Sequence, residues 1–342
     1  MWFEMSKQIW KDKWEVILAL VGIAATFWEP VRLYAWGAVG SLLVIDLAAR
    51  AVHEIRLSRT RHVPLVVFVP SPRKQGAELD AYAAMLEDVS QSLRGVKMDE
   101  GELVNRFGVT RDEWALWRDT QLPVESPEWQ RTVQRFDLRL QRINRKLGQQ
   151  RVFHVFLQCP AALAMGLGAT LETHHQFTLY HYQPPYDAVF STSDIDEPLR
   201  VRLGRKVAPP YHYIAVSTPE QVTPDTYVSV FTARHDPRVT WEATARAANS
   251  AVLHIDWANP EFKSLTLEDD WLLVAQEIAT VVLGLTGRGA KRIHIVLSCP
   301  IALGFLIGVA LGAHSAVTVY NWFKSQGAYH PVLALDRLVQ AV

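Results

Sequence analysis

The chain has 342 residues, enough for two domains of ordinary size and an extension. Its 35 Lys+Arg balance 35 Asp+Glu, so no global basic field marks a binder of long nucleic acid, although a few local donors would suffice for a small anion. The two cysteines, Cys159 and Cys299, form neither a disulfide framework nor a CxxC pair, and they fit a reducing compartment.

Two apolar runs open the chain, "VILALVGIAATFW" from Val16 to Trp28 and "LYAWGAVGSLLVI" from Leu33 to Ile45. Each charge-free core is shorter than the roughly 20 residues of a bilayer-spanning helix, but flanking residues lengthen both. Trp10, Trp14, Trp28, Tyr34 and Trp36 suit an interfacial belt. Lys7, Lys11 and Lys13 precede the pair, while Arg50, Arg56, Arg59 and Arg61 follow it. This pattern predicts a transmembrane helical hairpin over residues 1–60 with both ends on the cytoplasmic side. Glu4, Asp12 and Glu15 argue against a signal peptide. A buried soluble hairpin is the competing reading, since Asp46 closes the second run.

Beyond the hairpin, "PLVVFV" at Pro64 to Val69 reads as a buried strand, with helices over Ala77 to Leu93 and Pro127 to Leu147. The stretch "MDEGELVNRFGVTRDEWALW" between them has a helix-turn-helix flavour, but the balanced charge favours a packed surface helix. Strand "VFHVFLQ", helix "PAALAMGLGATLE" and strands "FTLYHY" and "DAVFST" complete a first half. A second half follows, with strand "YVSVFTA", helix "TWEATARAA", strand "AVLHIDW" and helix "LEDDWLLVAQEIATVVLGL". It ends with "RIHIVLS", "PIALGFLIGVALG", "AVTVYNWF" and "PVLAL". Strands alternating with helices predict an α/β fold with parallel sheets covered on both faces. The halves should meet between Ser193 and Pro210, giving units 61–205 and 206–342.

The two halves repeat one another. Cys159 and Cys299 lie 140 residues apart, and sliding the chain by that distance aligns "HVFLQCPAAL" at His154 with "HIVLSCPIAL" at His294. Eleven identities fall in 27 ungapped columns, ending with Thr178/Thr318 and Tyr180/Tyr320; ordinary residue usage gives about two. This is an internal duplication.

In each half Cys-Pro stands where a strand ends and a helix begins. Proline suits the first helical turn, and the amides of Ala161 to Leu163 and Ile301 to Leu303 then face outward unpaired. Such amides and the helix dipole attract an anion, at the strand end where open α/β sheets bind ligands. The candidate ligand-binding residues are therefore Gln158, Cys159, Pro160 and Ala161 in one half and Ser298, Cys299, Pro300 and Ile301 in the other. Ser71, Arg73 and Lys74 after the first strand, and Arg234 and His235 after its counterpart, add polar groups at the same edge. Tyr182, Trp257, Trp322 and Phe323 are placed to stack on bases. The cysteines read as small buried residues, and His154 and His294 as hydrogen-bonded core histidines. His174 and His175 close a helix, where a protonated imidazole favours the dipole.

No catalytic set appears. "HEIRL" at His53 lacks a zincin's second histidine, "GLGATL" at Gly166 falls inside a helix, and "GRGAKR" at Gly287 precedes its strand. GxSxG, Walker A and kinase motifs are absent.

At its most specific stretch, "RIHIVLSCPIALGFLIGVALGAHSAVTVYNWF", and at its earlier echo, the sequence resembles the SAVED family, sensor domains of two fused CARF-like Rossmann-type units. The resemblance covers about Val63 to Val342. It implies binding of a cyclic oligonucleotide, often a cyclic trinucleotide, in bacterial CBASS anti-phage defence, with ligand-induced homo-oligomerisation that activates a fused effector. Here the hairpin stands in the effector's place. The expectation is a non-enzymatic receptor without cofactor or metal, held in the bacterial inner membrane with its sensor in the cytoplasm, that disrupts the lipid bilayer during abortive infection. Two readings compete: a type III CRISPR effector answering cyclic tetra-adenylate, and a membrane-tethered enzyme such as a ring nuclease.

Overall fold

The structure is a computed structural model that describes residues 61–70, 78–94, 100–124, 126–148, 151–171, 173, 175–182, 186–219, 221–232, 236–258 and 265–338. The expected hairpin, together with Ser71, Arg73, Lys74, His174, Arg234 and His235, lies outside the described residues. Among the described residues no helix is long and apolar enough to cross a membrane.

The elements run, in chain order, β1 (Arg61–Phe68), α1 (Glu78–Ser92), α2 (Glu100–Phe107), α3 (Arg111–Trp114), β2 (Ala115–Trp117), α4 (Ser126–Leu147), β3 (Arg151–Gln158), α5 (Ala161–Thr170), β4 (Phe177–Tyr182), β5 (Tyr186–Ser191) and α6 (Leu199–Gly204). There follow β6 (Ile214–Ser217), β7 (Asp225–Phe231), α7 (Arg238–Ala247), β8 (Ala251–Trp257), α8 (Trp271–Gly287), β9 (Arg292–Ser298), α9 (Ile301–Leu311), β10 (Val317–Phe323) and β11 (Ala328–Ala334). The described strands form two sheets, ordered β2-β1-β3-β4-β5 and β11-β10-β9-β7-β8-β6. Both sheets belong to one compact unit spanning 62–193 and 197–342.

The sheets are mixed, not wholly parallel. β1/β2, β3/β4, β7/β8, β7/β9 and β9/β10 are parallel, whereas β4/β5, β6/β8 and β10/β11 are antiparallel. Only three residues separate β4 from β5 and only four separate β10 from β11, too few for a parallel crossover. The helix-turn-helix pattern also dissolves. α3 is a single turn, and Ala115 to Trp117 continue as a strand paired with β1.

The duplication extends to details that a sequence alignment does not show. The β4/β5 ladder slips between Leu179 and Tyr180, and the β10/β11 ladder slips between Val319 and Tyr320. His154 Nδ1 lies 3.0 Å from the Tyr180 hydroxyl, and His294 Nδ1 lies 3.1 Å from that of Tyr320. The other ring nitrogen meets His62 at 2.9 Å in the first half and Asp225 at 3.1 Å in the second. Both histidines are thus hydrogen-bonded within their sheets. His175 is buried, but α5 ends at Thr170 and this histidine lies beyond it.

Helices α5 and α9 fill the space between the sheets. Apart from a few flanking positions, every face of each is buried, as expected for helices apolar all round. Glycines let them touch. A Cβ on Gly168 would overlap the Phe305 carbonyl, and one on Gly308 would overlap the Met165 carbonyl. These are the same two contacts exchanged by the 140-residue shift, the signature of a pseudo-twofold interface. A Cβ on Gly304 would come 3.0 Å from the Ala161 carbonyl, so successive turns pair 161 with 304 and 165 with 308. The two helices therefore run in the same direction, and Pro160 and Pro300 mark the same end of the pair.

Candidate ligand-binding site

Both prolines occupy the N-cap, one position earlier than the first helical turn. Pro160 has φ −59° and ψ 142°, and Pro300 has φ −55° and ψ 144°. The ring fixes φ near that value, while ψ keeps the residue extended so that the chain leaves the strand without a loop. No side chain caps either helix. The first-turn amides are not all free, however. The Leu163 amide donates to the Pro160 carbonyl at 2.9 Å, so Ala161 and Ala162 remain the candidates for an anion in that half.

The cysteines serve structure. Burial pushes the Cys299 thiol up to about 12 and the Cys159 thiol beyond the usual thiol range, opposed weakly by the Gly304 and Ala164 amides pointing at the sulfurs. Both thiols stay protonated at neutral pH, which removes them as nucleophiles. Gln158 and Ser298 contribute backbone. Their carbonyls accept from the Val69 amide at 2.8 Å and the Thr232 amide at 2.9 Å, joining equivalent strand ends in the two halves.

One cavity at this end draws on both sheets. It has a volume of about 130 Å³ and is lined by Pro160, Trp322, Phe323 and Lys324, with Asn321 and Gln121. Three residues expected at the site, Pro160, Trp322 and Phe323, thus come together across the duplication. Trp129, at the start of α4, packs edge-on against Phe323 with centroids 6.2 Å apart. Its indole donates to the Pro123 carbonyl at 2.7 Å. Trp271, at the start of α8, does the converse: it donates to the Thr266 carbonyl at 2.8 Å and meets His181 with centroids 5.2 Å apart. The first half thereby packs on the end of β10 and the second half on the end of β4.

The remaining aromatics divide. The Trp257 ring stacks on Tyr213 at 5.6 Å, and its indole nitrogen is buried without a partner. Tyr182 is 45% exposed and leans on Tyr186 at 4.9 Å. Neither lines the cavity. The buried hydroxyls of Thr232 and Tyr186 also lack a hydrogen-bond partner, and unsatisfied buried groups of this kind at strand ends suit a ligand. Arg238 is already committed to Asp236 at 2.6 Å and Asp256 at 3.5 Å. Its guanidinium holds the Asp236 carboxyl below the ordinary carboxylate range. Ala161 and Ile301 are half-buried helix starts. Lys324, Asn321, Gln121 and Thr232 were not foreseen. Lys324 directly follows the Trp-Phe pair and carried a usable signal; Gln121 sits in a loop with none.

The profile of the family described as "SMODS-associated and fused to various effectors sensor domain", SAVED, matches residues 139–335, more than half of the chain. The chain belongs to the SAVED family. Two structures of the Acinetobacter baumannii Cap4 SAVED/CARF-domain containing receptor are similar in fold to this SAVED chain. One, with the cyclic trinucleotide 2'3'3'-cAAA, gives a TM-score of 0.52 at 11% identity over 85% of this chain and 55% of that one. The other, with 3'3'3'-cAAA, gives 0.53 at 12% identity with the same coverage. The chain therefore spans about half the length of these receptors. No curated protein matches it.

Proposed function

We propose that this SAVED protein is a membrane-anchored receptor for a cyclic oligonucleotide, a cyclic trinucleotide in the first instance. It is a receptor without chemistry of its own, needing no cofactor. The observation that carries the reading is the cavity in which Pro160 of one half meets Trp322, Phe323 and Lys324 of the other. A cyclic oligonucleotide alternates phosphates with aromatic faces, and the cavity offers a helix start, a cation and two indole or phenyl rings in the same order of chemistry. Its volume suits one base or phosphate, so the rest of the ring extends toward Pro300. Arg73, Lys74 and Arg234, which follow β1 and β7 in sequence, are the proposed phosphate partners.

The apolar runs Val16 to Trp28 and Leu33 to Ile45 supply the anchor in this reading. Ligand binding assembles copies, gathers their hairpins and breaches the inner membrane of a phage-infected cell in a CBASS response. A calorimetric screen over cyclic di-, tri- and tetranucleotides tests the first step, with tightest binding expected for a trinucleotide; silence across the panel rejects the receptor. Chromatography after long incubation should recover the ligand intact. During infection, co-expression with the cognate synthase should admit a membrane-impermeant dye, whereas death behind an intact membrane would reject the effector step.

A further inference from the structure

At the other end of the α5/α9 pair lies a second cavity of about 350 Å³, lined by Arg200, Leu203 and Lys206, by Leu283 of α8, and by Val309 and Leu311 of α9, with Arg205 on the rim. It sits against the last turn of α9 and past the end of α5, away from Pro160 and Pro300. Its floor is hydrocarbon and its rim is basic. Arg205 is paired with Glu197 at 2.7 Å, whereas Arg200 and Lys206 have no ion-pair or hydrogen-bond partner among the described residues. The carboxyl ends of α5 and α9 add roughly one negative charge together, so two free cations leave the rim net positive.

The rim is also built, not draped. Gln276, buried in α8, donates to the carbonyls of Arg202 at 2.8 Å and Arg205 at 2.7 Å. The Thr280 hydroxyl accepts from the Val207 amide at 3.3 Å. The segment that carries all three cations is thus held to the helix forming the floor. A cavity of several hundred Å³ with an apolar floor and few polar groups has the dimensions of a small-ligand site.

We infer that this cavity binds an anionic phosphate ester carrying an apolar chain, with the phosphate on Arg200 and Lys206 and the chain against Leu203, Leu283 and Leu311. The site is separate from the nucleotide-binding face and does not depend on the function proposed above. The chemistry is shared by an acidic phospholipid and a soluble phosphate, and the two differ in whether the chain contributes.

The test is calorimetric titration of the full chain in a neutral maltoside detergent with dihexanoyl phosphatidic acid, dihexanoyl phosphatidylcholine and inorganic phosphate. Phosphatidic acid should bind, and the other two should bind at least about tenfold more weakly. Arg200→Glu with Lys206→Glu should weaken phosphatidic acid by about tenfold or more through lost charge-assisted hydrogen bonds. Both positions are exposed, so thermal unfolding should be unchanged. Leu283→Asn should weaken phosphatidic acid while leaving phosphate untouched. The inference is overturned if phosphatidic acid does not bind, if the double reversal leaves its affinity unchanged, or if phosphate binds as tightly and shows the chain to be idle.

Discussion

His154 shows how much one buried ring decides. It is 3% exposed, and burial, with the neighbouring His62 adding to it, depresses its pKa to about 4 from 6.5. The folded state therefore keeps it neutral, while the unfolded chain takes up a proton as pH falls below 6.5. Stability is complete above that value and is lost progressively down to about pH 4, by ~3 kcal/mol for this group. Denaturant unfolding at pH 7, 5.5 and 4 should show that loss, and His154→Gln should flatten it. Glu277 makes a second case. Its carboxylate is 1% exposed and accepts from the amides of His212 at 2.7 Å and Tyr213 at 3.0 Å. Glu277→Ala leaves both amides without an acceptor and should cost about 2–4 kcal/mol, read as a lowered denaturation midpoint at unchanged slope. A small change would mean that water reaches the site. At the cavity, Lys324→Glu should weaken ligand binding by about tenfold or more without altering the unfolding midpoint, since it would turn the proposed phosphate contact into a repulsive one.

At the scale of the element, the α5/α9 crossing is the part that tolerates least. Gly168→Ala and Gly308→Ala each drive a methyl into a backbone carbonyl of the facing helix. Both should cost about 1–3 kcal/mol or more, and by similar amounts, because the contacts are exchanged by the pseudo-twofold. Gly284→Ala in α8 meets nothing within 4 Å, and there the same methyl should stabilise by about 0.5–1 kcal/mol. Chemical denaturation of the three variants separates packing from propensity; equal effects in all three would contradict the crossing. This scale also shows what the sequence made legible. β4 and β8 run over the residues that the apolar pattern marks, Phe177 to Tyr182 and Ala251 to Trp257. β2, β6 and α6 escape because three to six residues carry no period to read. The Trp129/Trp271 exchange escapes for another reason. The two residues are 142 apart, so a slide of 140 passes them by, and only the packing pairs them. Likewise the strand-helix junctions announce Pro160 and Pro300, but not which aromatic of the other half arrives beside them.

For the whole molecule, the claim is that duplication makes one site, not two. Parallel α5 and α9 bring both helix starts to one end, and the exchanged tryptophans pack each half against β4 or β10 of the other. Two independent half-sites would each take a mononucleotide, whereas the joined face of the proposed receptor would take one polyanionic ring. The direct measurement is calorimetric titration of the full chain with 3'3'3'-cAAA, the ligand held by one of the similar receptors. The account predicts one ring per chain and a weakened isotherm with Lys324→Glu. Two rings per chain, no binding, or binding indifferent to Lys324 would contradict it.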